Sequence, residues 1–441
     1  MNPRGWPYKL SLLAPARQEL TMMLQDRMFL TELFDAAVGA AEPEQILAAH
    51  LPEPPKGRTV VVGAGKGVAQ LAAAFERVWT GPLSGVVVTR YGNVCPTQFI
   101  KVLEASHPVP DEAGLKATKA LFEAVRGLGP DDLVVALICG GGSALLPSPP
   151  PGITLADEAE LNRVLLASGA PISVMNSIRK QVSGIKGGRL AAAAAPAKVV
   201  SLVVSDVPFD DPAQVASGPT VPDLGTREEA CRLAKTWKLH LPEKVQSWLD
   251  GEEGRAPLAT DPVFSGNEVR VIASAHLSLE AAAAKVRQAG IYPVILSDAI
   301  EGEARDVAKV HAALVREVIL RGRPFRRPVV ILSGGETTVT IRGQSGRGGR
   351  NTEFLLAFAL AAEGLTFSAL AADTDGIDGS EDNAGAFADG VSMRRLREKG
   401  FNPMDLLMEN DAYTAFEALE DLFVPGPTGT NVNDFRAVLL R

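Results

Sequence analysis

The sequence predicts a two-domain α/β protein, with its first domain built on a doubly wound parallel sheet. Three observations predict it. Short, almost wholly apolar segments, among them Thr59–Val62, Gly85–Thr89 and Leu133–Cys139, alternate with helical stretches, as strands do in a parallel sheet covered on both faces. A chain of 441 residues with 46% apolar residues exceeds the reach of one hydrophobic core and can fill two. Residues 250–267, polar and rich in Gly and Pro, separate two runs of this alternation and set domains at 1–262 and 263–441.

Taken in order, residues up to about Ala16 read as a loose arm. The helix that follows, from about Gln18 to Ala41, carries Leu20, Met23, Leu24, Met28, Leu30 and Leu33 at near-helical spacing. Strand Thr59–Val62, helix Gly65–Trp79, strands Gly85–Thr89 and Ile100–Glu104, helix Asp111–Arg126 and strand Leu133–Cys139 come next. A helix from about Leu155 opens on a capping box of Thr154 with Asp157, and one from about Val174 is N-capped by Ser173. Ala191–Ala195 reads as helix, Val199–Val204 as strand, and Thr226 with Glu229 opens another helix. Beyond the boundary the alternation restarts with strand Val269–Ala273, a helix from Leu277, strand Tyr292–Leu296, helix Glu303–Leu320, strand Val329–Leu332 and helix Asn351–Ala362.

Composition narrows the partners. A net charge of −8 and only 5% aromatic residues oppose a nucleic-acid or anionic-membrane surface and favour small molecules. The three cysteines are scattered, with no disulfide framework and no zinc spacing, which fits a reducing cytoplasm. No signal-peptide pattern is read in Met1–Leu30, and the most lipid-like stretch, Leu190–Val204, is too short to span a membrane and holds Pro196 and Lys198. Monomer and homodimer both stay open.

Three apolar strands end in glycine turns: Gly63-Ala64-Gly65-Lys66-Gly67, Gly140-Gly141-Gly142-Ser143, and Gly334-Gly335-Glu336. Backbone N–H groups freed of Cβ can close around an oxyanion, and a following helix adds the positive end of its dipole, so three such turns suit a nucleotide plus an acidic substrate. The first is not a dinucleotide fingerprint, since Val68 stands where the third glycine belongs, and Thr89-Arg90 supplies no ribose-binding acid. It is no Walker loop either; what remains is Lys66, a cation at a helix start. In His107-Pro108-Val109-Pro110-Asp111 the prolines fix a turn and Asp111 caps a helix, with His107 placed to line a site as well.

Asn176, Arg179, Lys186 and Arg189 read either as a solvated face or as a phosphate or carboxylate grip around Gly187-Gly188. Asp206 ends a buried strand, the edge where open sheets bind ligands, and can serve as general base or hold Mg²⁺. Arg350 and Asn351 lie where a glycine-rich loop enters a helix, a place for bidentate pairing with phosphate or carboxylate. Asp373-Thr374-Asp375-Gly376-Ile377-Asp378-Gly379 has the wrong register for a calcium loop and reads as an acidic turn near Mg²⁺ or adenosine. The stretch from Gly426 through Thr430, Asn431 and Asn433 to Asp434 supplies donors that close the site or form a plain turn.

Together GAGKG, HPVPDE, CGGGSALL, NSIRKQVSGIKGGRL, VVSDVP, ASGPTVPD, SGGETTV, GGRNTE, DTDGIDG and GPTGTNVND resemble the glycerate 2-kinases of the MOFRL type, some of which are labelled hydroxypyruvate reductases. The resemblance covers residue 25 or so to the end. It implies a Rossmann-like N-terminal domain and a smaller α/β MOFRL domain with the active site in the cleft between them. It also implies ATP- and Mg²⁺-dependent phosphorylation of D-glycerate at the 2-hydroxyl. The lysine, aspartate and arginine proposed as catalytic in that family fall on Lys66, Asp206 and Arg350. Cys139 and Thr352 depart from the Ser and Gln frequent there. Two rival readings are an NAD(P)H-dependent hydroxypyruvate reductase, with Arg90 near a 2′-phosphate, and a nucleotide-binding regulator without turnover.

Overall fold

The structure, a computed structural model, describes residues 13–222, 224–251, 253–341 and 346–441. Most of the arm read at the N-terminus, residues 1–12, lies outside the described residues, and residues 13–16 already belong to a helix, Leu13–Gly39. The chain divides into two compact units, Ala41–Ser274 and a second formed by Met1–Ala40 with Ala275–Arg441.

In the first unit, six strands form one parallel sheet: β1 (Thr59–Ala64), β2 (Leu83–Arg90), β3 (Ile100–Ala105), β4 (Leu133–Cys139), β5 (Lys198–Val204) and β6 (Glu268–Ala273). Their order is β3-β2-β1-β4-β5-β6. The chain winds outward from β1 to β3, then returns to the other side of β1 with β4, so the direction of winding reverses between β1 and β4. Strands β1 and β4 are buried along their whole length, as their unbroken apolar runs require in a sheet covered on both faces. The capping box of Thr154 and Asp157 opens helix Leu155–Ala167 as read. Ser173 does not cap its helix, because the chain turns helical earlier, at Ile172, with Pro171 fixing the entry.

The second unit carries β7 (Tyr292–Ile295), β8 (Gly302–Glu303), β9 (Val329–Gly335), β10 (Thr337–Thr338), β11 (Ser368–Asp373), β12 (Gly385–Asp389), β13 (Leu422–Phe423) and β14 (Asp434–Leu440). Its main sheet runs β13-β12-β11-β14-β9-β7, and only β7 with β9 is parallel. The expected second α/β unit is therefore a mixed sheet in which four of the five pairings are antiparallel.

Two boundaries differ from the sequence reading. The division falls after Ser274 because β6 pairs with β5 and completes the first sheet. Residues up to Ala40 join the second unit because Leu30, Leu33, Phe34 and Ala37 are buried against Leu279, Val286, Leu370 and Phe435. Phe34 meets Phe423 and Phe435 edge-on, with ring centroids at 4.9 and 5.9 Å. Each such apolar side chain contributes about 1.5–3 kcal/mol on burial, which outweighs the short connection to the first unit. Leu24 and Met28, read as part of that face, are exposed.

Candidate active site

The winding reversal is where open parallel sheets bind ligands, just outside the carboxyl ends of the strands. Here β1 runs into Gly65-Lys66 and β4 into Gly140-Gly141, and the Lys66 N–H donates to the Gly140 carbonyl at 2.9 Å. The next strand, β5, delivers Asp206 to the same place. A β-carbon on Gly140 would lie 1.8 Å from Asp206 Oδ2, so only a bare backbone lets that carboxylate rest there. Gly141 has φ 76°, and a β-carbon on it would come within 2.9 Å of Lys66 Cγ and 3.3 Å of His107 Nε2. Two adjacent glycines are thus faced by a carboxylate on one and by a lysine stem and an imidazole on the other.

The surroundings tune these groups. The Lys66 carbonyl accepts from Thr89 Oγ1 at 3.2 Å and Asn93 Nδ2 at 2.9 Å, which fixes the turn that carries the ammonium. Burial, then Lys66 and Arg90, push His107 down to about 4, so the imidazole is neutral at physiological pH. Burial and Asp206 push the Cys139 thiol up, which keeps it protonated and unfit as a nucleophile. After Asp206 the chain holds Phe209, Asp210, Ala216 and Ser217 at positive φ, strain of the kind that gathers at functional sites.

Ser143 Oγ lies 2.8 Å from Ser217 Oγ, which donates to Asn176 Oδ1 at 3.0 Å. Arg179 donates to Asn176 at 3.2 Å and to Asn162 Oδ1 at 2.8 Å, and burial brings its pKa down to about 10. The helix after the glycines is a single turn, Gly142–Leu145, too short for the dipole expected of it. The grip read at Lys186 and Arg189 is also corrected. Lys186 is buried, donating to the Leu146 carbonyl at 2.9 Å and pairing with Glu158 at 3.2 Å. Arg189 is spent on the carbonyls of Lys180, Lys186 and Gly254. Both cations are engaged by carbonyl or carboxylate groups of the protein itself.

In the second unit Arg350 begins helix Arg350–Ala361 and is held by two carboxylates, Asp434 at 2.6 Å and Asp373 at 2.5 Å, with exposed Glu336 3.9 Å from Nη1. Burial opposes its charge, but Asp434, Asp373 and Glu336 outweigh it and raise its pKa. The anion-attracting helix end is already filled. Asp378 accepts from the N–H groups of Asn351 at 2.9 Å and Thr352 at 2.8 Å, and Asn351 Nδ2 also reaches Asp434 at 2.9 Å. Burial works against ionising Asp434, yet Arg436 and Arg350 hold it below the usual carboxylate range.

The other expected contacts of this unit are turn-forming. Gly334 N–H donates to the Ser297 carbonyl at 2.8 Å, and Gly335, at φ 120°, lies so close to Ile300 that a β-carbon would meet its nitrogen at 2.2 Å. Asp375 accepts from Ile377 N–H at 2.8 Å. Thr430 N–H lies 3.4 Å from Thr428 Oγ1, and Asn431 accepts from Asn433 N–H at 3.0 Å. Thr428 ties this loop to the acidic turn through the carbonyls of Thr374 and Asp375.

Residues 29–250 match the family described as a domain of unknown function, DUF4147, and residues 329–434 match the MOFRL family. The chain is 37% identical to D-glycerate 2-kinase of Thermotoga maritima, over 91% of this chain and 95% of that protein. It belongs to the MOFRL-type glycerate kinase family. As a member it is an enzyme, a kinase. The crystal structure of the Thermotoga maritima glycerate kinase superposes with a TM-score of 0.85 at 35% identity, covering 95% of this chain and all of that one. An Agrobacterium vitis protein named "Putative hydroxypyruvate reductase" is 52% identical over 94% of both chains.

In this glycerate kinase family member, sequence reading named Asp373, Asp378 and Asp434 but did not join them to Arg350 and its helix. Asp373 and Asp434 close and open strands at paired positions, a signal visible only once β11 and β14 are known to be neighbours. Glu158 and Asn162, partners of Lys186 and Arg179, stand four apart on a helix read as ordinary.

Proposed function

We propose that the chain transfers the γ-phosphoryl group of ATP to the 2-hydroxyl of D-glycerate, giving 2-phosphoglycerate and ADP, as a cytoplasmic enzyme of small molecules with a Rossmann-like first domain. The juxtaposition of Asp206 and Lys66 on Gly140 and Gly141 carries this reading. Asp206 accepts the hydroxyl proton, the hydroxyl oxygen bonds to the γ-phosphorus, and the bond to the β–γ bridging oxygen breaks with ADP leaving. Lys66 offsets the charge that spreads over the equatorial oxygens, and Arg350 is assigned the same task from the family resemblance.

Among the described residues no group of three or more His, Cys, Asp or Glu is arranged to hold a metal ion. Mg²⁺ is commonly held by one or two carboxylates together with substrate phosphates and water. Asp206 would be its protein ligand. The ion supplies charge neutralisation at the β- and γ-oxygens when bound.

The name of the Agrobacterium vitis relative favours a second reading, hydroxypyruvate reduction by NAD(P)H. Against it stand Val68, which packs 2.9 Å from where a β-carbon on Gly63 would be, and the end of β2 at Arg90, without a ribose-binding acid. The test supplies D-glycerate with Mg-ATP in one vessel and hydroxypyruvate with NADPH in another. ADP release in the first without NADPH oxidation in the second supports the kinase reading, and the reverse pattern overturns it.

A further inference from the structure

We infer that His107 is a substrate-contacting residue which, together with Lys66, holds the carboxylate of the acceptor hydroxy acid over Gly141 while its hydroxyl meets Asp206. This rests on the proposed phosphorylation of a hydroxy acid and deepens it.

The geometry comes first. Gly140 and Gly141 are consecutive, with Cα atoms about 3.8 Å apart across a trans peptide. Asp206 packs on the first, and Lys66 and His107 pack on the second. In a 2-hydroxy acid the hydroxyl and the carboxylate sit on adjacent carbons, a spacing of the same order. An alcohol placed at Asp206 therefore carries its carboxylate toward the lysine and the imidazole. The opposite placement would set two carboxylates against each other at Gly140.

His107 also makes no bond within the protein at this turn. Among the described residues neither of its ring nitrogens makes a hydrogen bond, although the side chain is half-buried. Its ring nitrogens are not among the buried atoms left without a partner, so they stay open to water and to a ligand that would take its place. Burial and the facing cations Lys66 and Arg90 keep the ring neutral, so it donates one N–H without adding a third positive charge. Asp206, the anion of the cluster, is the neighbour across the dipeptide. His107 thus acts as an orienting donor and leaves proton transfer to Asp206.

The experiment measures kcat, KM for D-glycerate and KM for ATP in the wild type and in His107→Ala, His107→Gln and His107→Asn. Loss of a hydrogen bond to a charged group predicts a KM for glycerate about tenfold or more higher in His107→Ala, with kcat falling much less and KM for ATP held. Gln presents an amide N–H near the Nε2 position and Asn does not, so His107→Gln recovers most of the loss and His107→Asn does not. Should His107→Ala fail to fold, the Gln and Asn pair decides. Unchanged glycerate KM, equal behaviour of Gln and Asn, or a collapse of kcat at constant KM overturns the inference. A rise in KM for ATP instead points to a phosphate at Gly141 and overturns it as well. A wild type that binds ATP but phosphorylates no glycerate removes the functional reading itself, an outcome distinct from an active wild type indifferent to His107.

Discussion

The glycine turn at Gly140-Gly141 and the glycine-rich entry to helix Arg350–Ala361 look alike as sequence, yet the first packs a carboxylate, a lysine stem and an imidazole on bare backbone, and the second seats its arginine between two carboxylates. At Gly140-Gly141, Asp206, Lys66 and His107 converge on residues without side chains, and His107 has no protein partner among the described residues. At Arg350, Asp373 and Asp434 neutralise the guanidinium and Asp378 occupies the helix end. Glycine beside charge therefore does not specify a ligand site. What separates the two is whether the charged groups pack on bare glycine or close around a helix start.

The sharpest way to break this contrast is to remove one carboxylate from each region. Asp206→Asn is expected to lower kcat by about 10³-fold or more. Gly140→Ala is expected to behave likewise, since its methyl group would displace the Asp206 carboxylate. Steady-state kinetics beside a melting curve checks both, and near-normal turnover in either would remove Asp206 from its role. Asp434→Asn should do the opposite in kind. It leaves Arg350 and Arg436 buried with less counter-charge, a loss on the order of 3–5 kcal/mol that appears as a clearly lowered thermal midpoint. An unchanged melting curve would show that the network is not what holds that region together.

A smaller effect is expected at His311 of the second unit. His311, buried between the Val307 carbonyl at 2.9 Å and Ser333 Oγ at 3.0 Å, has its pKa lowered from 6.5 to about 4, chiefly by burial. Between those values the unfolded chain binds a proton that the folded imidazole refuses, so stability is intact above pH 6.5 and declines as pH falls toward 4. Thermal midpoints measured across that range should fall with a shallower slope in His311→Gln than in wild type. Equal slopes would mean that His311 is not a source of the acid sensitivity.

Much of the fold was legible because apolar runs such as Leu133–Cys139 fit only a buried parallel strand, and Thr154 with Asp157 only a helix start. What was not legible depended on partners distant in sequence. Strand β14 was missed because Arg436 interrupts its apolar run, and that charge is tolerated only because Asp434 and Thr337 meet it. Helix Leu13–Gly39 was assigned to the first domain because chain order says nothing of Phe423 and Phe435. At the candidate site Lys66 and Asp206 were readable from strand ends, whereas Lys186 and Arg189 misled because a basic residue beside glycine looks the same whether it binds a ligand or the backbone.

The most direct test of the central claim is phosphorus NMR of the product formed from D-glycerate and Mg-ATP. With the hydroxyl next to the carboxylate seated at Asp206, the account predicts 2-phosphoglycerate accumulating together with ADP. Formation of 3-phosphoglycerate, or ATP cleaved to free phosphate with glycerate untouched, would contradict it.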